Sequence, residues 1–337
     1  MKIVKYLRFL LWPVALLLSG WMLAQLPLAT LPQTIAALSG WQWLAWLVIN
    51  GLIIWLATQR WWLLMAMLNA RVAFVKLMCI RQAGQAISFI TPGPQFGGEP
   101  LQLFWLCRGG VALQKALLAL GLDRFFEVWI NLSILVLGVL LLLFSPAGSL
   151  AANYQMLALL IVLLLLLAVI ARVLLLQPEW LSARFERLAQ RWAEHPHLSK
   201  INHHWQALGA DLLFTVKTQK PQLLLAVILS LAGWLALLGE LALLLHCVNV
   251  SLDVAGFAML LVAMRLALLL PIPGGIGTLE ASVFWSFQLL GLPASAALGL
   301  IALMRLRDAA ILIAGLICLR QLGPEREGQL LANKCET

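Results

Sequence analysis

Charged residues are scarce in this chain of 337 residues. Only 11% of them are Asp, Glu, Lys or Arg, whereas 63% are hydrophobic. Soluble globular proteins carry about 25% charged and about 45–50% apolar residues. The composition therefore excludes a soluble globular fold, and it equally excludes a disordered chain or a disulfide-stabilised secreted domain.

Motifs of metal, nucleotide and hydrolase chemistry are also absent. The five cysteines have no C-x-x-C spacing, and most lie within apolar runs, where a thiol packs as a small hydrophobic group. The sequence contains no Walker motif, no H-E-x-x-H and no G-x-S-x-G. We therefore expect no metal site, no cofactor and no enzymatic activity.

Long apolar runs are what the sequence does contain. A helix of about 20 apolar residues spans the hydrocarbon core of a bilayer, which is about 30 Å thick. Six runs of this kind predict transmembrane helices, at residues 9–28, 41–67, 115–144, 154–176, 222–247 and 296–319.

The net charge of +9 indicates how the chain is oriented in the membrane. Lys and Arg lie next to the apolar runs, as is typical of cytoplasmic flanks that contact anionic lipid, so nucleic acid is not an expected partner. The uncharged loops 28–40 and 145–153 are predicted to lie outside. Residues 177–221 combine charges with apolar residues at helical spacing, which predicts a cytoplasmic amphipathic connection. Both termini are predicted to be cytoplasmic.

Two further apolar segments, 71–108 and 253–290, are interrupted by proline and glycine. A shift of the sequence on itself by 181 residues relates the two interruptions. It superposes Pro92-Gly93 on Pro273-Gly274, Glu99 on Glu280, and Arg124 on Arg305. The orientation derived from the charges makes the two copies inverted, and inverted repeats with broken helices are typical of secondary transporters.

These observations predict an all-α polytopic membrane protein with about six transmembrane helices and two re-entrant helical hairpins in an inverted repeat. The repeat units are 41–145 and 222–320, within a single membrane domain, 1–337. In the alternative, residues 253–270 cross the membrane completely, which would place the C-terminus outside.

The interruptions are predicted to form the hairpin tips. Backbone that leaves a helix within the bilayer must be buried in protein or line water, and glycine lets neighbouring helices approach it closely. The predicted tip residues are Pro92, Gly93, Gly97, Gly98, Pro273, Gly274, Gly275 and Gly277.

Charged residues follow both interruptions at matching distances. An ionised side chain at membrane depth costs about 2.5–3.5 kcal/mol on insertion scales, so each needs a partner or water. One interpretation is a polar cavity near the bilayer midplane, in which arginine binds a lipid phosphate. The other is a set of buried ion pairs that hold hairpins to helices. Arg124 with Glu127 and Arg305 with Asp308 are each three residues apart on a helix, which predicts local pairing. The candidate residues are Glu99, Arg124, Glu280, Arg305, Asp123, Glu127 and Asp308, with Glu240, Arg265 and Arg307 as further charges.

The run Ile272-Pro273-Gly274-Gly275-Ile276-Gly277-Thr278-Leu279-Glu280, followed by Arg305, resembles the signature of the lysylphosphatidylglycerol synthase transmembrane-region family, the flippase-like domain. The run from Pro92 through Gly97-Gly98-Glu99 to Asp123-Arg124 resembles the earlier motif of that family, and it is more similar to a branch associated with hopanoid lipids. The resemblance implies a membrane region that moves a lipid between leaflets.

The resulting functional hypothesis is a lipid flippase or transporter in a bacterial inner membrane. Because the sequence ends at Thr337, we expect no aminoacyl-transferase domain. Membrane lipids are the expected partners, and lipid-synthesis enzymes and a second copy of the chain are candidates. The alternative is a membrane-embedded lipid-modifying enzyme or an accessory subunit of a lipid synthase.

Overall fold

The computed structural model describes residues 38–91, 97–144, 150–171, 219–270 and 272–322. The predicted first span, 9–28, lies outside the described residues. So do Pro92 and Gly93 of the first hairpin tip and residues 177–218 of the predicted cytoplasmic connection.

The described residues form helices and no strands, which confirms the prediction of an all-α membrane protein. The nine α-helices in these ranges are α1 (Gly40–Met67), α2 (Phe74–Ile90), α3 (Glu99–Arg108), α4 (Leu113–Leu143), α5 (Leu150–Ala171), α6 (Lys220–Cys247), α7 (Val254–Ala267), α8 (Thr278–Leu289) and α9 (Ala294–Leu322). A single 3-10 turn, Pro273–Gly275, lies between α7 and α8.

Three described helices, α1, α4 and α6, are long and apolar enough to cross a membrane. Helix α9 has 29 residues, but Arg305, Arg307 and Asp308 lower its hydropathy. The number of six spans stays a prediction.

Both segments with proline and glycine are interrupted, as predicted. Helix α2 ends at Ile90 and α3 begins at Glu99, whereas α7 ends at Ala267 and α8 begins at Thr278. Helix α7 has 14 residues, so at 1.5 Å per residue it is about 21 Å long, shorter than a hydrocarbon core of about 30 Å. The re-entrant hairpin and the complete crossing of 253–270 both stay predictions.

The order of helices α1 to α4 is repeated by α6 to α9, and so is the geometry of the turns. Asn69 after α1 and Asn249 after α6 both have left-handed backbone, with φ of 52° and 56°. The backbone N–H of Ala70 donates to Met65, and that of Val250 donates to Leu245, at 3.0 Å in both cases. Asparagine tolerates this conformation better than most residues, which explains why it stands at both turns.

The described helices belong to two compact units. One comprises Met1–Ile54, Val75–Trp105 and Ala236–Thr337, and the other comprises Trp55–Phe74 and Leu106–Leu235. The units do not coincide with the two sequence repeats, because each unit contains parts of both. The first unit holds α7, α8, α9 and most of α2 and α3, and the second holds α4, α5 and the first residue of α2 and the last three of α3, while α1 and α6 are divided between the two.

Helices α1 and α6 run antiparallel within the second unit. Arg60 donates to Ser230 Oγ at 3.1 Å, and further along α1 the Met67 carbonyl accepts from Gln219 Nε2 at 3.1 Å. As the residue number increases along α1, the residue number of its partner decreases, so the two helices are antiparallel. Opposite directions are what the charge pattern predicts for these two spans.

Close helix packing in the first unit depends on glycine. A Cβ at Gly315 of α9 would lie 2.5 Å from both the Ala86 Cβ and the Gln82 carbonyl oxygen of α2. Within the hairpin of α2 and α3, Gly98 lies directly against the Gly84 backbone, and Gly84 lies against the Gln102 side chain. Close contacts of the glycine backbones with neighbouring helices thus fix the positions of α2, α3 and α9.

We expect Gly315→Ala to lower the free energy of unfolding by about 1–3 kcal/mol, the usual cost of overpacking. Gly121→Ala in α4 is the matched control, because a Cβ there meets no atom within 4 Å and alanine stabilises a helix by about 0.5–1 kcal/mol over glycine. Thermal unfolding of both variants in detergent measures the difference. Equal melting temperatures would contradict the packing described for α2 and α9.

Candidate functional site

The second interruption has a backbone conformation that depends on glycine. Gly274, Gly275 and Gly277 have φ of 59°, 61° and 86°, in the left-handed region that residues with a Cβ rarely adopt. Helix α8 then begins at Thr278, and Glu280 in its first turn accepts from the Gly277 N–H at 2.8 Å through Oε2. A carboxylate at this position also complements the positive end of the helix dipole.

Arg305 of α9 holds this interruption in place. Its Nε lies 2.7 Å and its Nη2 lies 2.6 Å from Glu280 Oε1. Nη1 donates to the Gly274 carbonyl at 3.1 Å, and Nη2 donates to the Gly275 carbonyl at 3.2 Å. The side chain is only 2% exposed, so it is a buried clamp between α9, the 3-10 turn and the first turn of α8.

Arg305 donates four hydrogen bonds, because Nη1 also donates to Asp308 Oδ2 at 3.0 Å, and its Nη2 is in ion-pair contact with Glu280 Oε1. Two carboxylate partners and two carbonyl partners therefore surround this buried guanidinium. A phosphate could reach this guanidinium only by displacing one of them.

The network continues from Asp308 through Arg307 to α6. Arg307 donates to Asp308 Oδ1 from Nη2 at 3.1 Å and from Nε at 3.3 Å, and Nη1 donates to Glu240 Oε2 at 3.0 Å. Glu240 is 2% exposed and also accepts from Asn50 Nδ2 of α1 at 3.0 Å. The first unit thus contains one continuous network of three carboxylates and two guanidinium groups.

The first interruption uses the same device as the second. The Gly97 N–H donates to Glu99 Oε2 at 2.7 Å, as the Gly277 N–H does to Glu280. The Gly98 N–H donates to Ser88 Oγ at 2.9 Å. Each glutamate therefore satisfies backbone at the start of the helix that follows its break.

The two interruptions approach each other within the first unit. The Cβ position of Gly274 lies 3.6 Å from the carbonyl oxygen of Phe89, in the last turn of α2. Ile276, after the second break, packs against Ala86 of α2 and Leu312 of α9. Helix α2 and the second break thus share one packed core.

Three of the predicted residues, Asp123, Arg124 and Glu127, belong to the second unit, whereas Arg265 lies on α7 in the first. Asp123 of α4, which is 1% exposed, accepts from Arg60 Nε at 2.7 Å. Arg124 Nη1 pairs with Glu127 Oε2 at 2.9 Å, and Glu127 is 41% exposed. The structure therefore brings together Glu280, Arg305 and Asp308 in one unit, and Arg124 with Glu127 in the other. One cavity shared by Glu99, Arg124, Glu280 and Arg305 stays a prediction.

Arg60, Asn50 and Ser230 were not predicted from the sequence, although the repeat contains the signal for them. Helix α1 begins at Gly40 and α6 at Lys220, so Arg60 corresponds to Glu240, and Asn50 corresponds to Ser230. The contacts are reciprocal, because Arg60 bonds to Ser230 and Glu240 bonds to Asn50. An offset one residue shorter than 181 would have aligned them.

Fold and site together define an α-helical membrane protein in which two interrupted helices meet beside a buried ionic network. The family model of the lysylphosphatidylglycerol synthase TM region matches residues 7–315. The chain belongs to this family, as its motifs predicted, and is a membrane protein tied to lipid handling. No curated protein and no solved structure matches the chain, and the assignment to a hopanoid branch stays a prediction.

We expect Arg305→Ala to lower the free energy of unfolding by about 3–5 kcal/mol, because it removes the counter-ion of Glu280 and the donors to the Gly274 and Gly275 carbonyls. Arg124→Ala at the equivalent position is the matched control, with an expected loss of about 0–1 kcal/mol, because its partner Glu127 is exposed. Denaturant unfolding in mild detergent measures both losses. Equal losses for the two variants would show that Arg305 is not a clamp.

Proposed function

We propose that the protein moves a lipid between the leaflets of the membrane, along a polar path beside the meeting point of α2 and the second break. The supporting observation is the guanidinium of Arg307. It uses three of its five N–H donors on Asp308 and Glu240, so two have no partner within the described residues. With 23% of its side chain exposed, Arg307 can bind a phosphate without losing its counter-ions.

The geometry favours Arg307 over Arg305 for this role. Both arginines lie on α9, but Arg305 is 2% exposed and surrounded by two carboxylates and two carbonyls, whereas Arg307 is 23% exposed and bonds to two carboxylates only. Two N–H groups of one guanidinium match two oxygens of a phosphate. The two arginines therefore have different roles: Arg305 stabilises the backbone of the second break, and Arg307 binds the lipid phosphate.

We expect Arg307→Lys to slow lipid movement at least tenfold, because lysine keeps the charge beside Glu240 and Asp308 but lacks the planar fork. Arg320→Lys on the exposed end of the same helix is the matched control and should leave the rate unchanged. The assay follows dithionite quenching of fluorescent phosphatidylglycerol in vesicles that contain the purified protein. A wild-type rate for Arg307→Lys would overturn this role.

The same vesicles distinguish transport from the alternative, an enzyme or synthase subunit that modifies a lipid. Movement between leaflets changes the sidedness of a lipid and leaves its mass unchanged. We expect mass spectrometry of the extracted lipids to show no new species after incubation. A chemically changed lipid would favour the enzymatic alternative.

The proposed location is the bacterial inner membrane, with both termini cytoplasmic and the two repeats inverted. Arg71 after α1 and Ser251 after α6 are exposed residues at corresponding positions. In a background without the native cysteines, we expect Arg71→Cys to be labelled only from the cytoplasm and Ser251→Cys only from outside. Labelling of both from one side would exclude the inverted arrangement.

A further inference from the structure

The two helical hairpins share a backbone plan but differ in buried polarity. Counted from the helix starts, Arg81 and Gln82 of α2 correspond to Leu261 and Val262 of α7. Gln102 of α3 corresponds to Val283 of α8, counted from Glu99 and Glu280. All six residues are less than one-tenth exposed. The same buried positions are therefore polar in the first hairpin and aliphatic in the second.

Two of these polar side chains are incompletely satisfied. Gln82 is 4% exposed and Gln102 is 2% exposed, and the Oε1 of each has no hydrogen-bond partner within the described residues. Gln102 makes one weak bond, from Nε2 to the Arg81 carbonyl at 3.5 Å. A buried amide oxygen without a donor costs free energy that valine at the same position would not cost.

The second hairpin shows that the fold does not require these glutamines. Val262 and Val283 fill the corresponding buried positions there, and Val283 is fully buried. The hairpin of α2 and α3 is held instead by the close approach of Gly84 and Gly98 and by Ser88. The glutamines therefore serve a purpose other than forming the hairpin.

We propose that Gln82 and Gln102 accept hydrogen bonds from donor groups of the lipid headgroup, and so select lipids with a hydroxyl or primary ammonium group over lipids whose headgroup has no donor. This inference rests on the proposed function and adds a specificity site to it. An amide oxygen accepts hydrogen bonds and repels phosphate oxygens. The glutamines thus differ from Arg307 in the headgroup chemistry that they bind, which is a donor rather than a phosphate.

The test replaces each glutamine by the residue of the second hairpin. The variants are Gln82→Val and Gln102→Val, and the matched control is Gln288→Val, which removes an exposed glutamine from α8. Vesicles contain fluorescent phosphatidylglycerol, which carries hydroxyl donors, or phosphatidylcholine, which has no headgroup donor. We expect the wild-type protein to move phosphatidylglycerol at least tenfold faster than phosphatidylcholine.

In Gln82→Val and Gln102→Val, we expect this ratio to fall at least fivefold through a slower rate for phosphatidylglycerol. The control should keep the wild-type ratio. Melting temperatures of the two buried variants should be unchanged or higher, since the unsatisfied oxygen is gone. An unchanged ratio in both variants, or a wild-type protein that does not discriminate, would overturn the inference. The inference would also be overturned if both variants melted at a lower temperature and lost transport rate in equal proportion for the two lipids.

A binding measurement separates this inference from the transport proposal. Native mass spectrometry of the detergent-solubilised protein compares retained phosphatidylglycerol with retained phosphatidylcholine. Preference for phosphatidylglycerol that disappears in Gln102→Val supports the specificity site even if no lipid crosses the vesicle membrane, a result that would reject only transport. Equal retention of both lipids by the wild-type protein would reject the specificity site.

Discussion

The buried ion pair of Arg305 with Glu280 is the interaction on which the first unit depends. A chain that leaves helical geometry within a membrane exposes carbonyl and N–H groups that lipid cannot satisfy. Arg305 supplies donors to the Gly274 and Gly275 carbonyls, and its partner Glu280 supplies an acceptor to Gly277. One ion pair thus satisfies both kinds of backbone group and so stabilises the left-handed glycines of the break.

This arrangement reconciles the two interpretations that the sequence left open for the buried charges. Arg305 and Glu280 are a clamp, because their hydrogen-bonding capacity is directed at each other and at the backbone. Arg307, two residues further along α9, keeps unused donors and partial exposure. Arg305 is thus structural, and Arg307, the residue that we propose for lipid binding, differs from it by its greater exposure, 23% against 2%.

The sequence predicted the helical class, the two interruptions and the local pairs of Arg305 with Asp308 and Arg124 with Glu127. These depend on composition, on proline and glycine, and on spacing along a helix, which are all local properties. It did not predict the partners of Arg60 or Glu240, which lie on helices far away in the chain. Packing between distant helices decides those contacts. The shift of 181 residues did not align Arg60 with Glu240. The helices that precede the breaks are related by a shift of 180 residues instead.

The buried charges of α1 and α6 are neutralised inside their own repeat. Arg60 pairs with Asp123 of the first copy, and Glu240 pairs with Arg307 of the second. Each hydrogen bond between α1 and α6 joins one of these charged residues to an uncharged one, Arg60 to Ser230 and Glu240 to Asn50. If these two helices slide past each other, each copy therefore keeps its own counter-ion. Such a movement would exchange hydrogen bonds between α1 and α6 and would leave no charged side chain without its counter-ion in the low-dielectric interior.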